Sequence, residues 1–207
     1  MQMQISYDFT NLSQAIEIAK KTAPFADIIE IGSLLIISEG VKAIKEFKST
    51  FPDKPILADA KIVDRVTEII PVLSQSEAKY ITVLYGTSNK VIQKASSIAH
   101  SLNSKIVLDL IDPETMGQGA LEAESLNVDH LLFHYPHEVG ETFSHLENWE
   151  IVRGNTKLPI FISGRVNKKN IEEIVKLKPQ GVVVGEAITK AEDPEAQAMS
   201  FRELIVG

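Results

Sequence analysis

The sequence predicts an α/β protein, a single (β/α)8 TIM barrel forming one domain over residues 1–207. Three observations predict it. Short β-branched runs alternate eight times with helical patterns. The runs are apolar almost throughout, as strands are when both faces of a parallel sheet are covered. No linker, low-complexity stretch or charge block interrupts the 207 residues, which leaves about 26 residues per unit. Eight equivalent units without a break favour a closed barrel over a doubly wound sheet.

The first run covers residues 4–8, and its helix, capped by Asn11 or Ser13, reaches about Thr22. The second covers 27–32, with a helix to about Ser49. The third covers 55–60 and leads into a helix beginning near Asp64. The fourth covers 80–84, followed by a helix from about Ser88 to Leu102. The fifth covers 105–110, and Asp112-Pro113-Glu114 opens its helix. The sixth, seventh and eighth cover 130–134, 158–164 and 181–185, and a helix after Asp193-Pro194 closes the chain.

Composition excludes several classes. The net charge is −7 and no Lys/Arg cluster is present, so nucleic acid is a poor partner. With no cysteine there is no disulfide framework, thiolate metal site or cysteine nucleophile. No apolar stretch approaches the ~20 residues that span a bilayer, and the N-terminus does not read as a signal peptide. The expected setting is the cytoplasm, with no membrane partner.

In this fold the chemistry sits at the C-terminal ends of the strands. Those ends are polar here. Asp8 ends the first strand, Glu30 lies near the end of the second, and Asp59 and Lys61 end the third with Asp64 beyond. Asp109 lies near the end of the fifth and His134 ends the sixth. Alternation places Asp59 and Lys61 on one face of an extended segment, both pointing inward. A lysine between carboxylates stays cationic and can stabilise an oxyanion. The spare carboxylates, Glu30 included, can hold Mg²⁺. The blander alternative is an inter-strand ion pair with Asp64 as a helix cap. His134 is a candidate acid/base, whereas His130, His137 and His145 read as structural. Asp109 is either a rim carboxylate or a partner for a neighbouring lysine, and the second reading is preferred.

Ser163-Gly164 and Gly185 end the last two strands, where such barrels often bind phosphate through backbone N–H groups. Arg165 can add a charge-assisted bond.

Taken together these residues resemble the 3-hexulose-6-phosphate synthase and 3-keto-L-gulonate-6-phosphate decarboxylase family, within the orotidine monophosphate decarboxylase superfamily. The similarity runs almost end to end. It is carried by Thr22-Ala23-Pro24, by residues 27–32, by Phe51-Pro52-Asp53 and by Asp-x-Lys-x-x-Asp at 59–64. Thr82-Val83-Leu84, residues 107–111, His134, residues 184–189 and Asp193-Pro194 complete it.

The resemblance implies a barrel of the ribulose-phosphate-binding type and a homodimer with shared active sites. It also implies a Mg²⁺-dependent carbon–carbon lyase acting on a sugar phosphate. The synthase joins formaldehyde to ribulose 5-phosphate through an enediolate; the decarboxylase reaches a similar enediolate by losing CO₂. A third possibility is a degenerate barrel that binds a metabolite or partner without turnover. By the same resemblance Glu30 and Asp59 hold the metal, Lys61 stabilises the anion and His134 transfers protons. Asp8 helps to position Lys61 and the substrate, and Asp64 reaches into the partner's site. Ser163, Gly164, Arg165 and Gly185 bind the substrate phosphate.

The chain departs from the family pattern at Tyr135-Pro136-His137-Glu138, Arg65-Val66, Ser163-Gly164-Arg165 and Glu186. A carboxylate at 186 opposes a phosphate unless Arg165 or Arg65 pairs with it.

Overall fold

The computed structural model describes residues 1–136 and 148–206. Eight parallel strands close in sequence order: β1 (Gln2–Tyr7), β2 (Ile28–Ile31), β3 (Ile56–Ile62), β4 (Tyr80–Leu84), β5 (Lys105–Asp109), β6 (His130–His134), β7 (Ile160–Ser163) and β8 (Gly181–Val184). The last strand pairs with the first, Gln2 facing Gly181 and Ile5 facing Val184. The (β/α)8 barrel expected from the sequence is therefore the fold.

The helices are α1 (Leu12–Thr22), α2 (Ser33–Glu39), α3 (Val41–Thr50), α4 (Val66–Gln75), α5 (Asn89–Ser101), α6 (Met116–Glu122), α7 (Trp149–Gly154), α8 (Ile171–Lys176), α9 (Glu186–Thr189) and α10 (Pro194–Val206). Asn11 caps α1, its side-chain oxygen accepting from Gln14 N at 2.9 Å. The single helix expected after the second strand is two. Gly40, at φ +62°, breaks it between Glu39 and Val41. Asp64 is not the cap of the helix after the third strand. That position belongs to Arg65, in the left-handed conformation.

Period-2 alternation divides each strand between two cores. One set, including Met3, Ile5, Ile29, Ile31, Ile56, Ala58 and Ile81, faces the helices and forms the main hydrophobic core with them. The other set, Ile28, Leu57, Val107, Leu132, Phe161 and Val183 with Tyr80 against them, fills the barrel. Gln4 lies in this inner layer.

The inner set positions the site. Two residues beyond each inner-layer residue, the next inward position is Ser6, Glu30, Asp59, Thr82, Asp109, His134, Ser163 or Gly185. A plug that is apolar except for Gln4 is thus topped by a ring of polar side chains and one glycine. The ring faces the C-terminal end of the barrel, where this architecture places its chemistry.

Candidate active site

Asp59 and Lys61 meet at the mouth, but plain alternation does not bring them together. Ala58 pairs with Ile81 and Ile62 with Val83, so four steps along β3 match two along β4. This bulge puts Lys61 at φ +43°. Its backbone N–H donates to Thr82 Oγ1 at 2.8 Å. Thr82 Oγ1 in turn donates to Asp59 Oδ1 at 3.0 Å. One hydroxyl thereby ties the bulge to the carboxylate beside it.

Lys61 Nζ forms an ion pair with Asp59 Oδ2 and lies 3.6 Å from Asp109 Oδ2. Ser33, the first residue of α2, donates to Asp59 Oδ2 at 2.8 Å. Burial alone would lower the Lys61 pKa. The charges of Asp59 and Asp109 outweigh it and hold the amine above its ordinary value.

Asp109 is fully buried, and the preference for a plain structural lysine partner understates its part. Both its oxygens lie 3.0 Å from His134 Nδ1. A carboxylate accepts there, so Nδ1 carries the proton and Nε2 is the nitrogen left for exchange. Burial presses the His134 pKa down; the hydrogen bond and charge of Asp109 prevail and raise it above 6.5. Asp109 thus joins the lysine and the histidine in one network.

Glu30 lies across the mouth on β2. It accepts from Ser6 Oγ at 2.6 Å and from Gln4 Nε2. Burial, reinforced by the Asp59 charge, pushes it up to about 7 against those bonds. The two carboxylates expected to hold a metal therefore repel one another in a site short of positive charge.

These shifts give a pH prediction for metal-free protein. Glu30 titrates near 4.5 when unfolded and at about 7 when folded, so the folded state holds the extra proton between those values. Stability then falls as pH rises through that window. His134 acts in the same direction: its contribution is complete below 6.5 and is lost as pH passes its raised folded value. Thermal melts in EDTA should show a melting temperature that declines between about pH 5 and about pH 8. Glu30→Gln should flatten the lower part of that decline. A melting temperature that climbs across the window would contradict the assignment.

The other expected residues lie further out. Asp8 is exposed, and its Oδ1 accepts from Leu34 N at 2.8 Å, capping α2. No hydrogen bond or ion pair joins it to Lys61 among the described residues, so it does not position that amine directly. Asp64 is exposed beyond β3.

Ser163 is buried, and its carbonyl accepts from Tyr135 N at 2.9 Å. Gly164 follows at φ +94°, where an added Cβ would lie 2.3 Å from Tyr135 O; only glycine fits. Arg165 is exposed, and its carbonyl accepts from the side-chain amides of Asn167 and Asn170 at 2.8 and 3.0 Å. Gly185 leads into α9. Glu186 is paired with Lys190 one turn on, both more than half exposed, rather than with Arg165 or Arg65. An i,i+4 partner was available within its own helix. His137, Glu138 and His145 lie outside the described residues.

Gln4, Ser6, Ser33 and Thr82 all touch the acidic residues, and the reading by residue chemistry passed over them. Polar residues inside otherwise apolar strands were the available signal for Gln4, Ser6 and Thr82. Ser33 had none, because it reaches Asp59 from the start of a helix.

Residues 1–201 match the orotidine 5'-phosphate decarboxylase / HUMPS family. The chain belongs to this family. A 3-hexulose-6-phosphate synthase of Bacillus subtilis is 32% identical over 100% of this chain and 99% of its own length. The 3-hexulose-6-phosphate synthase structure from Salmonella typhimurium superposes with a TM-score of 0.95 at 29% identity, covering 100% of this chain and 99% of that one. A 3-keto-L-gulonate-6-phosphate decarboxylase structure from Vibrio cholerae gives a TM-score of 0.83 at 25% identity, covering 99% and 96%.

Proposed function

We propose that the protein is a cytoplasmic, Mg²⁺-dependent 3-hexulose-6-phosphate synthase, joining formaldehyde to ribulose 5-phosphate. The observation that carries this reading is Lys61 held between Asp59 and Asp109, with His134 bonded to the same Asp109. That array places a fixed cation and a proton-exchanging nitrogen together at the mouth of the barrel, which an enediolate reaction requires. Full-length similarity to chains carrying the synthase name supports it.

His134 Nε2 takes the proton from C1 of the ketose phosphate, and Asp109 stabilises the imidazolium that results. The electron pair left behind forms the enediolate, whose charge Lys61 meets. C1 then bonds to the formaldehyde carbon, and the carbonyl oxygen, now an alkoxide, takes up the proton held on His134 Nε2, which restores the neutral imidazole. Glu30 and Asp59 fit a hard cation. They are two buried oxygen donors that repel each other, and the donors to Glu30 from β1 are neutral. Mg²⁺ bound there would supply Lewis-acid stabilisation to the vicinal oxygens of the substrate. Ser163, Gly164, Arg165 and Gly185 form the proposed phosphate end. The Glu186 charge is met by Lys190, which removes its objection to an anion there.

A homodimer completes the reading. Leu34, Ile37 and Val63 are 48%, 81% and 51% exposed on α2 and just beyond β3, next to Asp64. These exposed apolar side chains suit a second copy that would accept Asp64 into its site.

The test is a product assay. Formaldehyde with ribulose 5-phosphate should yield a hexulose 6-phosphate, and 3-keto-L-gulonate 6-phosphate should release CO₂ slowly or not at all. The reverse preference would transfer the chain to the decarboxylase side of the family. No turnover of either, with Mg²⁺ present, would leave a binding protein.

A further inference from the structure

We infer that Gln4, a buried amide in the inner layer of the barrel, is a positioning residue that holds Glu30 ready for a divalent cation without neutralising it. The inference rests on the proposed role of Glu30 as a metal ligand.

Gln4 is 1% exposed and lies on β1 among residues that fill the barrel. A polar side chain in that layer is costly unless its hydrogen bonds are met. Its partner is across the strand pair and one layer up: Nε2 donates to Glu30 Oε2. Ser6 stands directly opposite Glu30 in the β1–β2 register and donates to the other oxygen, Oε1, at 2.6 Å. The carboxylate is therefore held at both oxygens, from below and from the side, by donors on one strand.

The chemical type of these donors matters. An ionised carboxylate has about four lone-pair sites, and two donors leave the others for a cation. An amide and a hydroxyl orient the group but carry no charge. An arginine or lysine in place of Gln4 would neutralise Glu30 and compete with the metal. Among the described residues the acidic cluster holds one lysine, and it pairs with Asp59 and Asp109. Glu30 is thus oriented at both oxygens with no cation paired to it, which leaves that role to a bound metal ion.

Mn²⁺ binding to the purified full-length chain, followed by electron paramagnetic resonance with Mg²⁺ as competitor, tests this. Gln4→Met keeps the volume of the inner layer and removes the donor. It should weaken Mn²⁺ binding about tenfold or more, while circular dichroism shows a folded barrel. Ser6→Ala should weaken it by a smaller factor. Gln4→Asn, which keeps an amide but withdraws it by one methylene, should lose affinity as Gln4→Met does. It also serves if Gln4→Met does not fold. Unchanged Mn²⁺ affinity in a folded Gln4 variant, with a lowered melting temperature, would reduce Gln4 to a packing role and overturn the inference. Glu30→Gln separates the two levels. If Glu30→Gln binds Mn²⁺ as wild type does, or wild type binds none, the metal-ligand reading falls and this inference with it.

Discussion

Lys61→Ala should lower kcat for the proposed aldol reaction about 10³-fold or more, the loss expected when a fixed donor to a developing oxyanion is removed. KM for the ketose phosphate should change far less, because the amine meets charge that appears only as the proton leaves. Lys61 pairs with Asp59 and lies 3.6 Å from Asp109, so its removal leaves two buried carboxylates short of a cation. Stability should fall by about 2 kcal/mol. The barrel should still fold, because Asp59 keeps the hydroxyls of Ser33 and Thr82. Steady-state kinetics and a thermal melt check both parts, and retained turnover would remove Lys61 from the chemistry. The proposed shared-site dimer adds a sharper result. Lys61→Ala and Asp64→Ala subunits, mixed and allowed to exchange, should recover up to about a quarter of wild-type activity, since each hybrid dimer carries one intact site. No recovery would confine each site to one chain.

Asp109→Asn should be nearly as damaging, with a different signature. The carboxylate receives His134 Nδ1–H on both oxygens, and an amide in its place can present N–H instead and favour the wrong tautomer. A loss of about 10²–10⁴ in kcat is expected, the span between losing a general acid/base and losing the group that orients it. Asp109 also raises the His134 pKa. Without that charge the acid limb of the kcat/KM profile should move to lower pH in whatever activity survives. Asp109→Ala should add a stability loss of about 1–3 kcal/mol, because it leaves the buried His134 Nδ1 without its acceptor. An acid limb that stays in place in Asp109→Asn would show that it reports some group other than His134.

The strands were readable because the signal for them is local. Residues 80–84 and 130–134 coincide with β4 and β6, both β-branched or apolar runs bounded by polar turns. Boundaries moved where a polar residue belongs to the ladder. β1 begins at Gln2, and β3 runs on through Lys61 to Ile62. The break at Gly40 was missed because helical periodicity continues on both sides of it, and only the φ of that glycine interrupts the hydrogen bonds.

The candidate residues were readable in kind but less so in partnership. Asp59, Lys61, Glu30 and His134 were recognisable as polar residues at strand ends. The bulge that lets Lys61 reach two carboxylates was not, because it arises from pairing with β4 and is tied down by Thr82, 21 positions away. Asp109 stood near a strand end too, but its link between the lysine and the histidine did not show, since both its partners come from other strands. Asp8 was placed on the rim correctly, and its partner turned out to be the start of α2.

By itself the sequence determined the alternation of strand and helix, the closure it implies, and the rim on which the acidic and basic groups would stand. Those properties follow from periods of 2 and 3.6 residues, which the chain carries locally. Only the tertiary structure decided which carboxylate faces Lys61, which one fixes the tautomer of His134, and which one is left to neutral donors. These choices depend on how eight strands are staggered around a closed barrel and on one bulge. Groups 24 to 48 positions apart come within hydrogen-bonding or ion-pairing range only after closure is complete.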